Sequence, residues 1–272
     1  AFAAALLVAF TLTTTHVDAY TWDADTGTAG AQDGNGTFSV GGNNWWDGAT
    51  NQNWANFASA AIFGSGGTGT VTLGSNVRTG GNGTRFDNDY TIDTNGFYLG
   101  GQGNNNLRTS TGVNASIIGT GEYRFFLDGT DIITDSGSTL TINATVVENV
   151  AGHQLDKEGA GTLILTAAST RTGITSILDG TLEFRHDDAL GTGLVNLNGA
   201  ATQVLEFGAD GLNLSENVQI SNQAGTKTIR LDSGGAGHSG VLSGQLDIRR
   251  DTAGEFVVDV GNTDTLTVSQ DI

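Results

Sequence analysis

Residues 157–200, KEGAGTLILTAASTRTGITSILDGTLEFRHDDALGTGLVNLNGA, decide the fold. Three short runs, TLILT from Thr162, TLEF from Thr181 and LVNL from Leu194, are separated by Gly, Asp and Asn. Within the runs Leu163 and Leu165, Leu182 and Phe184, and Val195 and Leu197 are two positions apart, the spacing that puts side chains on one face of a strand. No 3.6-residue period competes with it.

The same texture extends both ways from this stretch. Upstream lie TVTL at 70, YTID at 90, FYLG at 97, ASII at 115, YRFFL at 123, DIIT at 131 and TLTINATVV at 139. Downstream lie VLEF at 204, VQI at 218, TIRL at 228, EFVVDV at 255 and TLTVS at 265. Strand-sized runs about ten residues apart with turn residues between them define an all-β chain, of which a sandwich is one form. The motif G-T-L-x-[LFV] starts at Gly161 and again at Gly180, and more loosely at Asp264, so one structural unit is reused and a solenoid is favoured. The chain contains no Pro, which suits uninterrupted ladders. At about 20–25 residues per coil and 4.7–4.9 Å per rung, roughly 11–13 rungs would make a rod about 50–60 Å long.

Residues 157–200 also resemble the autotransporter-associated β-strand repeat, whose core reads roughly GxGTLxLTGxNTYTGxTxxxxGTLxxxxxxALGxGxVxLxxGA. The match runs through Gly159, Gly161, Thr162, Leu163, Leu165, Thr166, Gly173, Gly180, Thr181, Leu182, Ala189, Leu190, Gly191, Gly193, Val195 and Leu197. The resemblance implies a secreted bacterial protein folded as a right-handed parallel β-helix (β-solenoid), a shape that displays or assembles rather than reacts.

Composition narrows the function. The chain has 272 residues, 42 of them Gly, with no Cys and no Met. Stability must come from stacked strands rather than disulfides. Net charge is −18, and Arg249–Arg250 is the sole adjacent basic pair. Such a surface repels phosphate backbones, which excludes nucleic acid as a natural partner.

Three regions follow. Residues 1–19 open with AFAAALLVAFTL, too short for a membrane span of about 20 residues. This stretch reads either as a secretory signal remnant with a small-residue site at Val17-Asp18-Ala19, or as a retained segment that locks a neighbouring subunit. Residues 20–63 contain all four Trp and read as an aromatic-rich N-terminal cap closing one end of the solenoid. Residues 64–272 are the β-solenoid.

Few residues offer chemistry. Asp156, Lys157 and Glu158, and separately His186, Asp187 and Asp188, are the acidic groupings a polysaccharide-cleaving site would need, and both read as solvated turns. His16, His153, His186 and His238 are scattered without zinc spacing. No catalytic residue and no cofactor is expected. Calcium is the one metal to ask about: Asp23-x-Asp25 begins like a calcium loop but lacks its later Gly and Glu, and Asp87 follows a Gly-rich run.

The expected function is an extracellular structural subunit that stacks end to end by strand donation into a head-to-tail homopolymer. Phe2, Leu6, Leu7, Val8 and Phe10 would meet Phe256, Val258, Leu266 and Val268 of the next copy. The alternative is an adhesin passenger or stalk fragment that binds glycan or a host surface through Trp45, Trp46 and Trp54.

Overall fold

A computed structural model describes residues 19–270 apart from 58, 82, 102–106, 127–128, 232–236 and 250–253. Every regular element among the described residues is a strand. They form stacked parallel coils, a β-solenoid. One face is a twelve-stranded sheet running from Asn51–Gln52 at one edge to Leu246–Ile248 at the other, and a second is a ten-stranded sheet running from Gly36–Phe38 to Glu255–Val260. Each second-face strand pairs in parallel with the strand one coil later, so residues 19 to 35 positions apart in the chain become neighbours in space.

Period-two alternation turns into columns because the coils stack in register. Val71, Ile92, Ile117, Ile142, Leu165, Phe184, Phe207 and Leu231 lie one above another along the second face. All are buried. At about 1.5–3 kcal/mol for each large apolar side chain, one such column accounts for much of what holds successive coils together.

Coil length varies more than a fixed repeat would allow. Ile177 stacks beneath Leu197 after twenty residues, whereas Ile220 stacks beneath Ile248 after twenty-eight. The ten-stranded face takes one strand from each coil. That is fewer than the eleven to thirteen rungs expected: the first coil is the longest, Gly36 pairing with Val71 after thirty-five residues because the hairpin of residues 45–52 is inserted between them, and residues 1–18 lie outside the described residues.

The third face is interrupted. Val77–Arg78, Tyr98–Gly101, Glu122–Phe125 and Thr145–Glu148 form one short sheet, and Leu212–Leu214, Ser239–Leu242 and Thr265–Val268 form another. In the two coils between them, containing Thr162–Leu165 and Gly180–Phe184, a loop replaces the strand. Only a bridge from Val146 to Ser169 remains there. These are the shortest coils and they coincide with the repeat read from the sequence.

At the N-terminal end the hairpin of Trp45–Trp46 and Asn51–Gln52 runs antiparallel along Ala19–Trp22 and occupies the outer edge of the first face. Trp22, Trp45 and Trp54 are buried. The Trp45 ring lies 4.5 Å from Phe38 and 4.6 Å from Trp54, centroid to centroid, and Trp22 packs edge-on at 5.5 Å. Trp45 and Trp54 therefore present no ring to a glycan, a correction to the expected contact. On the two-residue strand only Trp46 points outward, half-buried. Residues 1–18, including Phe2, Leu6, Leu7, Val8, Phe10 and His16, lie outside the described residues.

Candidate functional site

The residues singled out for chemistry are spread over the solenoid and hold turns. Asp23 is buried and its Oδ1 accepts the Asp25 and Gln32 amides, both at 3.1 Å. Asp25 accepts the Gly27 amide at 3.0 Å and the Thr28 hydroxyl at 2.9 Å. Asp87 sits two coils away, paired with Arg85 at 2.6 Å and accepting the Ser110 hydroxyl at 2.5 Å. The three calcium candidates are not brought together. No group of three or more His, Asp or Glu among the described residues is arranged to hold a metal.

His186, Asp187 and Asp188 do form an exposed turn. The Asp188 amide donates to His186 Nδ1 at 3.1 Å, and Asp187 Oδ1 accepts the Asn213 amide of the next coil at 2.8 Å. Phe256, Leu266 and Val268 pack against the core from the strands Glu255–Val260 and Thr265–Val268. Among the described residues each of those strands has a ladder partner on one side, and Val258 is 50% exposed.

The densest side-chain chemistry on the surface was not singled out in the sequence. It lies on the outward side of the first short third-face sheet. In Tyr98–Gly101 the alternation turns Leu99 inward and Tyr98 and Gly100 outward, while in Glu122–Phe125 it turns Tyr123 and Phe125 inward and Glu122 and Arg124 outward. Register then sets Tyr98 beside Glu122, and Gly100 between Arg78 and Arg124. Gly100 matters through its missing side chain, because a Cβ there would strike the Phe126 ring that folds back over it.

Aromatic rings surround the Arg78 guanidinium. Its carbon lies 3.6 Å from the Phe126 centroid, 5.1 Å from Phe57 and 5.7 Å from Tyr98, and its Nε donates to Tyr98 Oη at 3.2 Å. Such contacts are worth about 0.5–2 kcal/mol each. Phe57 reaches this position with φ at 69°, in the left-handed region that a bulky residue avoids unless its surroundings impose it. Arg124 lies 4.9 Å from the Tyr98 centroid, and its Nε donates to Glu122 Oε2 at 2.9 Å.

Beside this lattice is a cleft of about 320 Å³ at the corner between the second and third faces. Its lining comes from three successive coils: Asn76; Gly96, Phe97 and Tyr98; and Thr120, Gly121, Glu122 and Arg124. Backbone ties hold the walls: the Tyr98 amide donates to Asn76 Oδ1 at 3.1 Å, and the Glu122 amide donates to the Phe97 carbonyl at 3.0 Å. The signal that could have found this site was present as FYLGG and EYRFF, where outward positions of neighbouring coils carry rings and guanidiniums.

Comparison with known proteins bears on the middle of the solenoid. Residues 155–184 match the family described as the passenger-associated-transport-repeat. The chain carries an autotransporter passenger repeat. The adhesin BmaC autotransporter of Brucella suis biovar 1 (strain 1330) is 32% identical over 201 residues, which is 71% of this chain and 5% of that protein. No solved structure matches the chain.

The passenger repeat has an interior that its sequence does not advertise. Lys157 is fully buried on the inward side of strand Leu155–Glu158, in the column between Ile132 and Ile177. Asp156, Lys157 and Glu158 are thus strand residues and not a solvated turn, because the ladder continues through them. The Lys157 Nζ donates to the carbonyls of Glu158 at 2.8 Å, Gly159 at 2.6 Å and Asp179 at 2.9 Å. Burial pulls its pKa down to about 7, opposed by the negative charges of Asp179 and Glu158. Two coils later Gln203 and then Lys227 reach the same corner: the Gln203 amide nitrogen binds the Gly199 and Ala201 carbonyls, and Lys227 Nζ binds those of Gln223 and Ala224. Each donor satisfies turn carbonyls that the ladder leaves unpaired.

Arg171 fills the loop that replaces the third-face strand in the passenger repeat. It is buried, 5.4 Å from the Phe125 centroid, and its Nη2 donates to Thr175 Oγ1 at 2.5 Å and to the Leu190 carbonyl at 3.2 Å. Nε and Nη1 have no partner. Burial lowers its pKa to about 10, with the Glu148 carboxylate acting against that shift.

Proposed function

We propose that this chain is a shaft segment of a secreted or surface-displayed bacterial passenger, and that it serves adhesion without catalysis. The observation that carries the reading is the unbroken parallel ladder of the second face, with the passenger repeat in its middle. A one-dimensional stack transmits load along its axis, resists unfolding through nearest-neighbour interfaces and offers a long lateral surface. The named relative is an adhesin, and this chain corresponds to 5% of its length, so here the adhesive role belongs to a proposed lateral contact with a glycan or host surface. The acidic surface suits solubility outside a cell.

Coating latex beads with the purified chain and counting beads bound to cultured epithelial cells tests this. Adhesion well above albumin-coated beads is expected, and counts equal to albumin would refute the adhesive role. Head-to-tail strand donation is the second reading, motivated by the one-sided strands Glu255–Val260 and Thr265–Val268. Analytical ultracentrifugation decides it: a sedimentation coefficient that climbs with concentration supports stacking, and a constant monomer value removes it.

A further inference from the structure

The corner cleft beside Tyr98 combines features that a plain turn does not need. Glu122 Oε2 takes up both bonds from Arg124, through Nε and Nη2, while Oε1 has no partner among the described residues. Asn76 spends its Oδ1 on the Tyr98 amide, which leaves its amide nitrogen free to donate. The Thr120 hydroxyl is exposed at the rim, and Tyr98 contributes part of its ring to the lining, while Phe97 packs against the core. The cleft therefore presents one carboxylate acceptor, guanidinium and amide donors, a hydroxyl and a ring, all within about 320 Å³. Small-ligand sites begin at about 300 Å³ and take their orientation from a few convergent polar groups, and here the lining is mostly polar.

Charge selects among ligands. An anion meets the Glu122 carboxylate and the field of a chain with net charge −18. A cation gains little, because the Glu122 carboxylate is already balanced by the Arg124 guanidinium. A neutral ring of hydroxyls suits the site best, because each hydroxyl both donates and accepts, and an adjacent carboxylate and guanidinium match a vicinal pair. The C–H face of such a ring packs on an aromatic wall.

We propose that this cleft binds a single neutral pyranose residue of a glycan, with Glu122 and Arg124 engaging vicinal hydroxyls, Asn76 donating and Tyr98 forming the wall. The proposal rests on the adhesive reading above and places its lateral contact at one corner of three consecutive coils. Glu122 and Arg124 hold each other in position before any ligand arrives, so little ordering opposes binding.

Saturation-transfer NMR tests the site with methyl glucopyranoside, methyl galactopyranoside and N-acetylglucosamine, each at about 1–10 mM, the affinity range of a one-sugar site. Transfer to the ring protons of at least one of them is expected. Two variants follow: Glu122→Gln removes the carboxylate, and Thr120→Trp fills the mouth from an exposed turn, with circular dichroism checking that each keeps the solenoid. Glu122→Gln should weaken binding about tenfold, the loss of one charge-assisted hydrogen bond, and Thr120→Trp should abolish it by blocking the mouth. No transfer from any of the three sugars overturns the proposal, as does transfer unchanged in Thr120→Trp, or galacturonate binding more tightly than the neutral sugars. Beads that adhere without sugar transfer would sink the cleft and leave the adhesive role standing. Sugar transfer without bead adhesion would support the cleft and sink the adhesive role.

Discussion

Replacing Lys157 by Met should remove a specific pH dependence from the stability of the solenoid. In the folded chain the Lys157 ammonium is buried and loses its proton near pH 7, whereas an unfolded lysine holds it to about 10.4. Between those values the unfolded state binds more protons than the folded state, so stability rises with pH. The slope from one such group rises to about 1.4 kcal/mol per pH unit once the folded form has lost its proton, which makes the gain between pH 7 and pH 9 about 2 kcal/mol. Below pH 7 both states are protonated and the contribution is flat at its lower level. Met keeps a similar volume and has nothing to titrate. Urea midpoints followed by far-ultraviolet circular dichroism at half-unit steps from pH 6 to 9.5, for both proteins, give the difference directly, since every other group titrates in both. The wild-type-minus-variant difference should climb in favour of wild type above pH 7. A difference constant to within about 0.5 kcal/mol across the series would mean that the three carbonyls keep the ammonium charged, and the reasoning would fail.

Three further outcomes follow from the packing. Gly180→Ala should destabilise by about 2–4 kcal/mol, because φ at 69° disfavours any side chain and a Cβ would strike the Gly159 and Gly161 carbonyls; an unchanged melting temperature would contradict it. Trp45→Ala should cost about 3–5 kcal/mol and loosen the first coils, read as a red shift of tryptophan emission at denaturant concentrations where the β signal persists. Arg171→Met should be neutral or stabilising by up to about 2 kcal/mol, because the guanidinium is buried with two nitrogens unpaired; a loss above about 2 kcal/mol in chemical denaturation would show that its bonds to Thr175 and Leu190 outweigh that burden.

Alternation by itself determined the strands, and the recurrence of G-T-L at Gly161 and Gly180 determined that they belong to one repeated unit. Both are local properties, written within five consecutive residues, and the stack preserved them as columns such as Leu163 on Leu182 on Leu205. The rule of two gives opposite faces of a strand but not the partner met on each face, since that partner lies 19 or more residues away. Lys157 shows the limit: a charged residue between Asp156 and Glu158 reads as solvated, yet parity with Leu155 places it inside, where carbonyls from its own coil and the next supply its partners. Tyr98, Arg78, Arg124 and Phe126 show it again on the outside. Each is unremarkable in its own strand, and only the register of three coils, with Gly100 leaving room for a ring, assembles them beside one cleft. Trp45 and Trp46 are adjacent on a strand and so face opposite ways, but only the antiparallel hairpin along Ala19–Trp22 decided which ring the core would take, because burial belongs to the neighbour that covers it and not to the residue itself.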